Sequence, residues 1–447
     1  MRLDKRKTAL FAFVFLLLVL SVIFTTIGIS RTYKGSNDFD TFYTAGESIL
    51  NGTGVYYSDD YYQMTHKIAP FLYPPFAACF FALFAFFPLP FAVGLWTVLL
   101  ISLLVASFVF MFKFLDLKDS EIPKFIGQIP LTNRFLLASV AIATMIDNMT
   151  MLQINILVFF LCLVSLVYWQ KKKNIAAGIV LSAAIFLKLT PVLFCLYFAC
   201  KKSWRVLTGV LIGSILWAAL VPSLFLGWEQ NRIYQRQWFG RMIKPAVISL
   251  VEKIKPSTPN SQNRSVKELQ DTAVSQQLSD TNQSLSAVLT RLFLKDRGRH
   301  QVAYRFRGLP IIAGGISEKH LNFLIMLLRI VFLGGCVYLW AGQSKVAIPL
   351  EASLVFVTST LLSPITRSHY YVTWIFAYLV LFFVFYKQRG FFRHKFFFWT
   401  TNISVILYFL LAVPYGEAAG MGAWANLVLW VGCAACIRQL KMILQKV

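Results

Sequence analysis

Side chains that could support chemistry recur beside the apolar segments of this sequence. They are three carboxylates, two amide pairs and several cations: Asp38, Asp40, Asp147, Gln153, Asn155, Lys188, Asn282, Gln283, Arg291, Arg367 and His369. A carboxylate can take a proton or ligate a metal ion, whereas Arg, Lys and His hold anions such as phosphate. Ionisable groups at membrane-spanning segments are costly and usually functional. These residues therefore define the candidate functional site.

The composition indicates which class of protein must position them. Charged residues make up 14% of the 447 residues, whereas a soluble domain has about 25%. Hydrophobic residues make up 57%, and 42 residues are Phe. Such a chain cannot cover its apolar surface with polar groups, which excludes a soluble globular protein, and its hydrophobicity excludes a disordered one. We predict an all-α integral membrane protein of the inner or plasma membrane.

The strong positive charge does not indicate nucleic acid. The chain has 43 Lys and Arg against 19 Asp and Glu, a formal net charge of +24. Many of the basic residues form short clusters between apolar runs, which is the arrangement that orients membrane proteins with positive loops inside. We therefore expect membrane lipids as partners and no nucleic acid. The seven Cys lie in or at the ends of apolar runs and do not form a disulfide framework.

Apolar runs and basic clusters together predict about 12 crossings with both termini cytoplasmic. The predicted crossings are residues 8–30, 91–112, 135–146, 152–169, two short helices within 174–200, 206–226, 320–340, 347–362, 371–386, 396–413 and 422–436. Residues 1–447 would form one polytopic domain, with a first outer loop carrying juxtamembrane helices at 31–90 and a long outer loop at 227–319. The candidate site residues then reach the outer face.

The segment 174–200 is predicted to break at Lys188-Leu189-Thr190-Pro191, because proline disfavours helix before it and lacks a backbone donor. Basic clusters flank the segment on both sides, so a hairpin of two short helices keeps both clusters inside. Helices of about 13 residues are only about 20 Å long. We therefore expect a hollowed or thinned region of the membrane there.

Several short motifs follow one another along the chain in a recognisable order. They are Asp38-Phe39-x-x-Phe42-Tyr43-x-Ala45, Leu50-x-Gly52, Val55-Tyr56, Tyr73-Pro74-Pro75, Gln153-x-Asn155, Lys188-Leu189-Thr190-Pro191, Asn282-Gln283-Ser284-Leu285 with Arg291, and Ser363-Pro364 leading to His369-Tyr370. Together they resemble the polyprenol-phosphate-sugar-dependent glycosyltransferases of family 87, over roughly residues 35–385. That family includes mannosyltransferases of phosphatidylinositol mannoside synthesis. The glycine usual before the Gln is Leu152 here, a departure that affects a tight turn more than chemistry.

The resemblance implies a multi-span fold of the GT-C type and transfer of a hexose, in particular mannose, from a polyprenyl-phosphate-linked donor to an acceptor hydroxyl on a glycolipid or glycan, with inversion. It places the base at Asp38. Arg367 and His369 would hold the departing phosphate, and Tyr370, Asp40, Lys188, Asn282, Gln283 and Arg291 would bind substrate. No cofactor and no metal ligand are assigned.

Several alternatives remain open for these residues. Asp38 could be a loop carboxylate or a helix N-cap, and Asp40 and Asp147 are rival bases. Asp38 with Asp40 could also ligate a divalent metal. Lys188 could cap a helix C-terminus.

The remaining candidates have structural alternatives of the same kind. Arg367 and His369 could be interfacial anchors, and Asn282 to Ser284 a plain polar loop. Gln153 and Asn155 are expected to fix helix packing by hydrogen bonds rather than to touch sugar.

A transporter or flippase for lipid-linked sugar is the competing class of function. The acidic residues lie in predicted loops rather than within helices, which favours an enzyme. A structural scaffold would leave the outer polar cluster unexplained.

Overall fold

The computed structural model describes residues 5–56, 71–240, 279, 281–295, 315–342, 345–387, 394–412 and 416–444. All regular elements in these ranges are helices, apart from an isolated bridge between Leu294 and Ile316. The prediction of an all-α chain is confirmed for the described part. Much of the predicted outer loop at 227–319, and residues 57–70 of the first outer loop, lie outside the described residues.

The structure describes nineteen α-helices within these ranges. They are α1 (Lys5–Tyr33), α2 (Phe39–Leu50), α3 (Pro75–Ala85), α4 (Leu89–Phe114), α5 (Ile122–Gln128), α6 (Leu131–Met151), α7 (Asn155–Gln170), α8 (Asn174–Leu187), α9 (Leu193–Cys200), α10 (Trp204–Ile215), α11 (Val221–Leu226), α12 (Trp228–Trp238), α13 (Leu285–Phe293), α14 (Glu318–Trp340), α15 (Ile348–Leu362), α16 (Trp374–Lys387), α17 (His394–Phe409), α18 (Gly416–Ala419) and α19 (Met421–Leu444). A π-helical turn joins α10 to α11, and a 3-10 turn, Ser368–Thr373, precedes α16.

Six of the described helical segments are long and apolar enough to cross a membrane: Phe11–Tyr33, Leu89–Phe114, Trp204–Leu226, Glu318–Trp340, Ser368–Phe385 and Met421–Ile443. The pair α5 and α6, bent by 110°, would make a seventh. Several shorter apolar helices accompany them. A helix of 16 residues is about 24 Å long, less than the roughly 30 Å of a bilayer core. The chain is a multi-span membrane protein, and the count of about 12 crossings stays a prediction.

Four helices end in the same way, at a residue with left-handed backbone that is not glycine. These residues are Asp116, Leu152, Lys172 and Lys202, with φ between 49° and 62°. In each case the next residue's N–H donates back to a carbonyl of the last helical turn, the arrangement of a Schellman motif. Asp116, Lys172 and Lys202 lie in polar connections, but Leu152 does not.

Backbone contacts divide the chain into two compact units. The first contains residues Met1–Met111, Met145–Leu189 and Thr208–Met242, and the second contains Phe112–Thr144, Thr190–Leu207 and Ile243–Val447.

In the first unit, α2 lies directly on α3. A Cβ atom built on Gly46 would come within 2.6 Å of the Phe81 backbone, so only glycine permits this approach. The rings of Phe39, Phe42, Phe81 and Trp96 form the buried aromatic core beside it. The start of α2, which carries Asp38, is thereby fixed against a rigid support.

The turn between α6 and α7 belongs to the same unit and is held from three sides. The Trp96 indole N–H donates to the Leu152 carbonyl at 2.9 Å. The Leu152 side chain is fully buried. It occupies the space that Gly28 leaves open, because a Cβ on Gly28 would lie 3.0 Å from Leu152 Cδ1. The left-handed leucine is therefore accommodated by a glycine on α1.

In the second unit, α15 is almost wholly buried and packs against α14, α16 and α19. It carries a buried carboxylate, Glu351, whose Oε2 lies 2.5 Å from Lys201 Nζ. The same ammonium donates to the Gly342 carbonyl at 2.9 Å. Burying two charges is tolerated when each finds a partner of opposite sign and further hydrogen bonds.

Leu152→Gly separates backbone strain from side-chain packing at the α6–α7 turn. The glycine relieves a left-handed conformation that costs roughly 1–2 kcal/mol, but loss of a buried Leu side chain costs about 3–5 kcal/mol. We expect packing to dominate, so the thermal midpoint of the purified protein in detergent falls.

Gly52→Ala is the matched control, because Gly52 has φ +66° and no atom within 4 Å of an added Cβ. It introduces strain alone and should lower the midpoint less. A midpoint for Leu152→Gly above that of the unsubstituted protein would contradict the packing argument.

Candidate functional site

Asp38 lies at the start of α2, where its backbone is held by the α6–α7 turn. The Asp38 N–H donates to the Met151 carbonyl at 3.2 Å. The residue is in the N-cap position of α2, but its carboxylate makes no side-chain capping hydrogen bond to the helix. Its side chain is half-buried. A half-buried carboxylate next to a helix N-terminus is stabilised as the anion by the helix dipole.

The preceding residue, Asn37, ties this start to the end of α1. Asn37 Nδ2 donates to the Gly28 carbonyl at 3.2 Å and to Thr32 Oγ1 at 2.9 Å. The Asp40 N–H donates to Asn37 Oδ1 at 3.4 Å, so Asp40 lies in the first turn of α2 and is also half-buried. Within the described ranges, no group of three or more His, Cys, Asp and Glu side chains is arranged to hold a metal ion.

Lys188 follows the last residue of α8, and the predicted break in the 174–200 segment is confirmed. Its backbone is extended, with φ −158° and ψ 128°, and its N–H donates to the Ala184 carbonyl at 2.9 Å. The side chain is 7% exposed, and its Nζ donates to Asn155 Oδ1 at 2.5 Å. The ammonium thus reaches the start of α7.

Asn155 is in turn held by Asn148, whose Oδ1 accepts from Asn155 Nδ2 at 3.4 Å. Both amides are buried. The segment Asn148–Asn155 therefore contacts both Asp38, through a carbonyl, and Lys188, through an amide. We name this segment the anchoring turn.

The sequence predicts packing hydrogen bonds for Gln153 and Asn155. Asn155 makes one with Asn148, whereas Gln153 Oε1 accepts none from the described residues. The bond from Lys188 to Asn155 was not predicted. The sequence also gave no indication that Trp96 and Asn148 hold this turn by hydrogen bonds.

Hydropathy predicted residues 147–150 to lie in a loop. They are helical instead, since α6 ends only at Met151.

In the second unit, Asn282 and Gln283 join two segments far away along the chain. Asn282 Nδ2 donates to the Pro364 carbonyl at 3.1 Å, and Asn282 Oδ1 accepts from the Thr366 N–H at 3.0 Å. Gln283 Nε2 donates to the Glu417 carbonyl at 2.8 Å. Both side chains are buried.

Ser284 caps α13, since its Oγ accepts from the Ala287 N–H at 3.2 Å. The same Oγ donates to the Pro364 carbonyl at 3.0 Å. The Asn-Gln-Ser motif thus begins α13 and fixes the loop that precedes Arg367.

Arg291 is fully buried on α13, and its guanidinium donates to four backbone carbonyls. The acceptors are Ser279 at 2.6 Å, Asn282 at 2.7 Å, Ala418 at 2.9 Å and Glu417 at 3.3 Å. These bonds tie the Asn282–Gln283 segment to α18. The predicted contact of Arg291 with substrate stays a prediction.

Arg367, His369 and Tyr370 lie in and before the 3-10 turn that leads to α16. The Arg367 side chain is exposed, His369 is 4% exposed, and Tyr370 is half-buried. The rings of His369 and Tyr370 lie 5.2 Å apart, and the Tyr370 N–H donates to the Arg367 carbonyl at 2.9 Å. Their predicted contacts with phosphate stay predictions.

Arg291→Lys tests whether this arginine organises backbone. A lysine has one nitrogen and cannot reproduce the forked donation to separate carbonyls, so buried acceptors lose their partners. We expect the free energy of unfolding to fall by about 2–4 kcal/mol, measured as a lower thermal midpoint.

The control is Arg232→Lys, because Arg232 is about half exposed and pairs with the neighbouring Glu229 on α12. It should leave the midpoint unchanged. An Arg291→Lys protein with an unchanged midpoint and lost donor binding would instead assign Arg291 to substrate.

The family model described as Glycosyltransferase family 87 matches residues 71–364. This range includes Lys188, Asn282, Gln283 and Arg291, and excludes the Asp38 and Arg367 segments. No solved structure matches.

Two curated relatives are each described as a polyprenol-phosphate-mannose-dependent alpha-(1-2)-phosphatidylinositol mannoside mannosyltransferase. The relative from Mycobacterium tuberculosis (strain ATCC 25618 / H37Rv) is 27% identical over 205 residues, which cover 44% of this chain and 47% of the relative. The relative from Mycolicibacterium smegmatis (strain ATCC 700084 / mc(2)155) is 26% identical over 205 residues, with 44% and 45% covered. The matched region thus spans about half the length of each relative. Because the family model covers about two thirds of the sequence, the chain belongs to glycosyltransferase family 87.

Proposed function

We propose that this protein transfers a hexose, in particular mannose, from a polyprenyl-phosphate-linked donor to a hydroxyl of a glycolipid or glycan acceptor. Membership of family 87 and the names of the two mycobacterial relatives support this donor class. Those relatives are described as acting on a phosphatidylinositol mannoside, which supports a glycolipid acceptor.

One observation carries this proposal. The anchoring turn contacts a carboxylate residue and a buried cation at once, since the Met151 carbonyl accepts from Asp38 N–H and Asn155 Oδ1 accepts from Lys188 Nζ. Glycosyl transfer from a lipid phosphate needs these two groups, a base for the acceptor hydroxyl and a positive charge for the departing phosphate.

The proposed reaction is a single displacement. Asp38 takes the proton of the acceptor hydroxyl as its oxygen attacks the anomeric carbon of the hexose. The bond from that carbon to the phosphate oxygen breaks, and the polyprenyl phosphate leaves with the electron pair. Lys188 stabilises the negative charge that grows on the phosphate. Attack opposite the leaving group inverts the anomeric configuration, and Asp40 is placed in this scheme as a substrate-binding neighbour of the base.

The family resemblance extends the proposal to residues of the second unit. We assign Arg367 and His369 to the donor phosphate, because a guanidinium fork matches phosphate oxygens and an imidazole donates a hydrogen bond. Tyr370 would contact the sugar or lipid beside them. Asn282 and Gln283 would act indirectly, since both bond the loop that precedes Arg367. Arg291 would act through Asn282, because its guanidinium donates to the Asn282 carbonyl.

We place this site at the outer face of the membrane, with both termini in the cytoplasm. The basic clusters between apolar runs support the orientation. The leaving group is a lipid phosphate and the donor carries no nucleotide, which is consistent with a site away from the cytoplasm.

Asp38→Asn removes the proposed base while keeping the shape of the side chain. We expect kcat for transfer from a polyprenyl-phosphate hexose to fall about 10²–10⁴-fold, the usual contribution of a general base. Donor affinity and the thermal midpoint should be unchanged, because the Asp38 N–H that bonds Met151 is retained.

Glu47→Gln is the control, since Glu47 is an exposed carboxylate on the same helix. It should transfer sugar normally. Normal turnover by Asp38→Asn would remove Asp38 from the role, and loss of turnover in Asp40→Asn alone would move the role to Asp40. Movement of the lipid-linked sugar across the membrane without a new glycosidic bond would support the flippase instead.

Lys188→Gln tests the proposed stabilisation of the phosphate. The amide can still donate towards Asn155, but it has no charge, so the transition state loses its electrostatic partner. We expect kcat to fall about 10²-fold or more, together with weaker binding of the polyprenyl phosphate product, measured by competition with the donor.

Lys34→Gln serves as the control, because Lys34 is an exposed lysine after α1. It should change neither quantity. If Lys188→Gln has a lower thermal midpoint but an unchanged kcat, Lys188 stabilises the break after α8 and has no role in transfer.

A further inference from the structure

Gln153 lies in the middle of the anchoring turn and is 1% exposed. Its backbone N–H donates to the Asn148 carbonyl at 3.0 Å, which closes the end of α6. Its side-chain oxygen, Oε1, is buried and accepts no hydrogen bond from the residues that the structure describes. The proposed displacement assigns no role to this oxygen.

A buried acceptor without a donor opposes folding, and native proteins contain few of them. A methionine has the same length and could fill this position without a polar atom. The polar side chain therefore lowers the stability of the unliganded protein. Such a cost is typical of a group whose partner is a ligand.

The position of Gln153 within the turn indicates which ligand group is involved. Two residues before it, the Met151 carbonyl holds Asp38, and two residues after it, Asn155 holds Lys188. In the displacement, the hexose ring lies between the attacking hydroxyl at the base and the departing phosphate at the cation. A side chain between the two anchors is therefore suited to contact the ring itself.

We propose that Gln153 Oε1 accepts a hydrogen bond from one hydroxyl group of the transferred hexose and thereby contributes to sugar specificity. The inference rests on the proposed transfer reaction and adds to it a contact with the sugar. A hydroxyl is the donor that a hexose offers, and an amide oxygen is a neutral acceptor for it. A site that bonds a substrate hydroxyl discriminates against the analogue that lacks it.

The test compares the unsubstituted protein with Gln153→Met on polyprenyl-phosphate mannose and on a panel of its monodeoxy analogues. The unsubstituted protein should use one analogue with kcat/KM lower by about 10-fold or more. Gln153→Met should transfer mannose more slowly and lose the discrimination against that same analogue. If the effects of Gln153→Met and of each deoxy position on kcat/KM multiply independently, the proposal is overturned. The transfer reaction would stay established in that case.

A second measurement does not depend on transfer. The thermal midpoint of Gln153→Met without donor should equal or exceed that of the unsubstituted protein, because a buried polar atom is removed. Asn426→Leu is the matched control, since the buried Asn426 amide donates to the Val357 carbonyl and to Thr360 Oγ1. It should lower the midpoint. A clear fall in the midpoint of Gln153→Met would make Gln153 a packing residue and overturn the proposal, whatever donor the protein uses.

Discussion

The buried hydrogen bond from Lys188 Nζ to Asn155 Oδ1 is the interaction on which the proposed site depends. An ammonium that leaves water loses a large hydration energy and is retained only where protein groups replace its solvation. The amide oxygen of Asn155 does this without bringing a charge of its own. A second buried lysine, Lys201, has its Nζ 2.5 Å from the carboxylate of Glu351. An amide partner adds a hydrogen bond to a buried lysine, and a carboxylate partner adds an opposite charge.

Such an interaction is useful only if Asn155 itself cannot move. The anchoring turn meets this requirement through several restraints that act on a few residues. Leu152 adopts a left-handed backbone, a conformation that persists only where surrounding contacts enforce it. These contacts are the hydrogen bond from the Trp96 indole, the Schellman hydrogen bonds at the end of α6 and the packing of the Leu152 side chain against Gly28. The strained backbone at Leu152 thus lies three residues before Asn155, the residue that must be held in place.

The sequence predicted the multi-span helical class and the break at Lys188 because both depend on local properties. Hydropathy acts residue by residue, and proline affects the residues next to it. The departure at Leu152 was visible for the same reason, since a position that usually carries glycine indicates a turn with positive φ.

The partners of the site residues could not be predicted in this way. Asn155 and Lys188 are 33 residues apart, and Arg291 contacts a carbonyl 127 residues away. Only tertiary packing brings such groups together. Arg291 appeared as one cation in a basic loop, yet it is fully buried. Residue type therefore indicated which side chains matter, but neither their burial nor their acceptors.

Hydrogen-bond satisfaction separates the polar residues of this chain by task more clearly than residue type does. Arg291, Asn282 and Gln283 direct their side-chain groups to backbone acceptors and donors, which makes them suited to hold loops in place. Gln153 has the same amide chemistry as Gln283, but its Oε1 accepts nothing from the described residues. A group that is satisfied in the folded protein has little left to offer a ligand, since binding would first break an existing bond. The unsatisfied Gln153 acceptor loses no hydrogen bond when a hydroxyl arrives, which is why the proposed recognition is assigned to Gln153 rather than to Gln283.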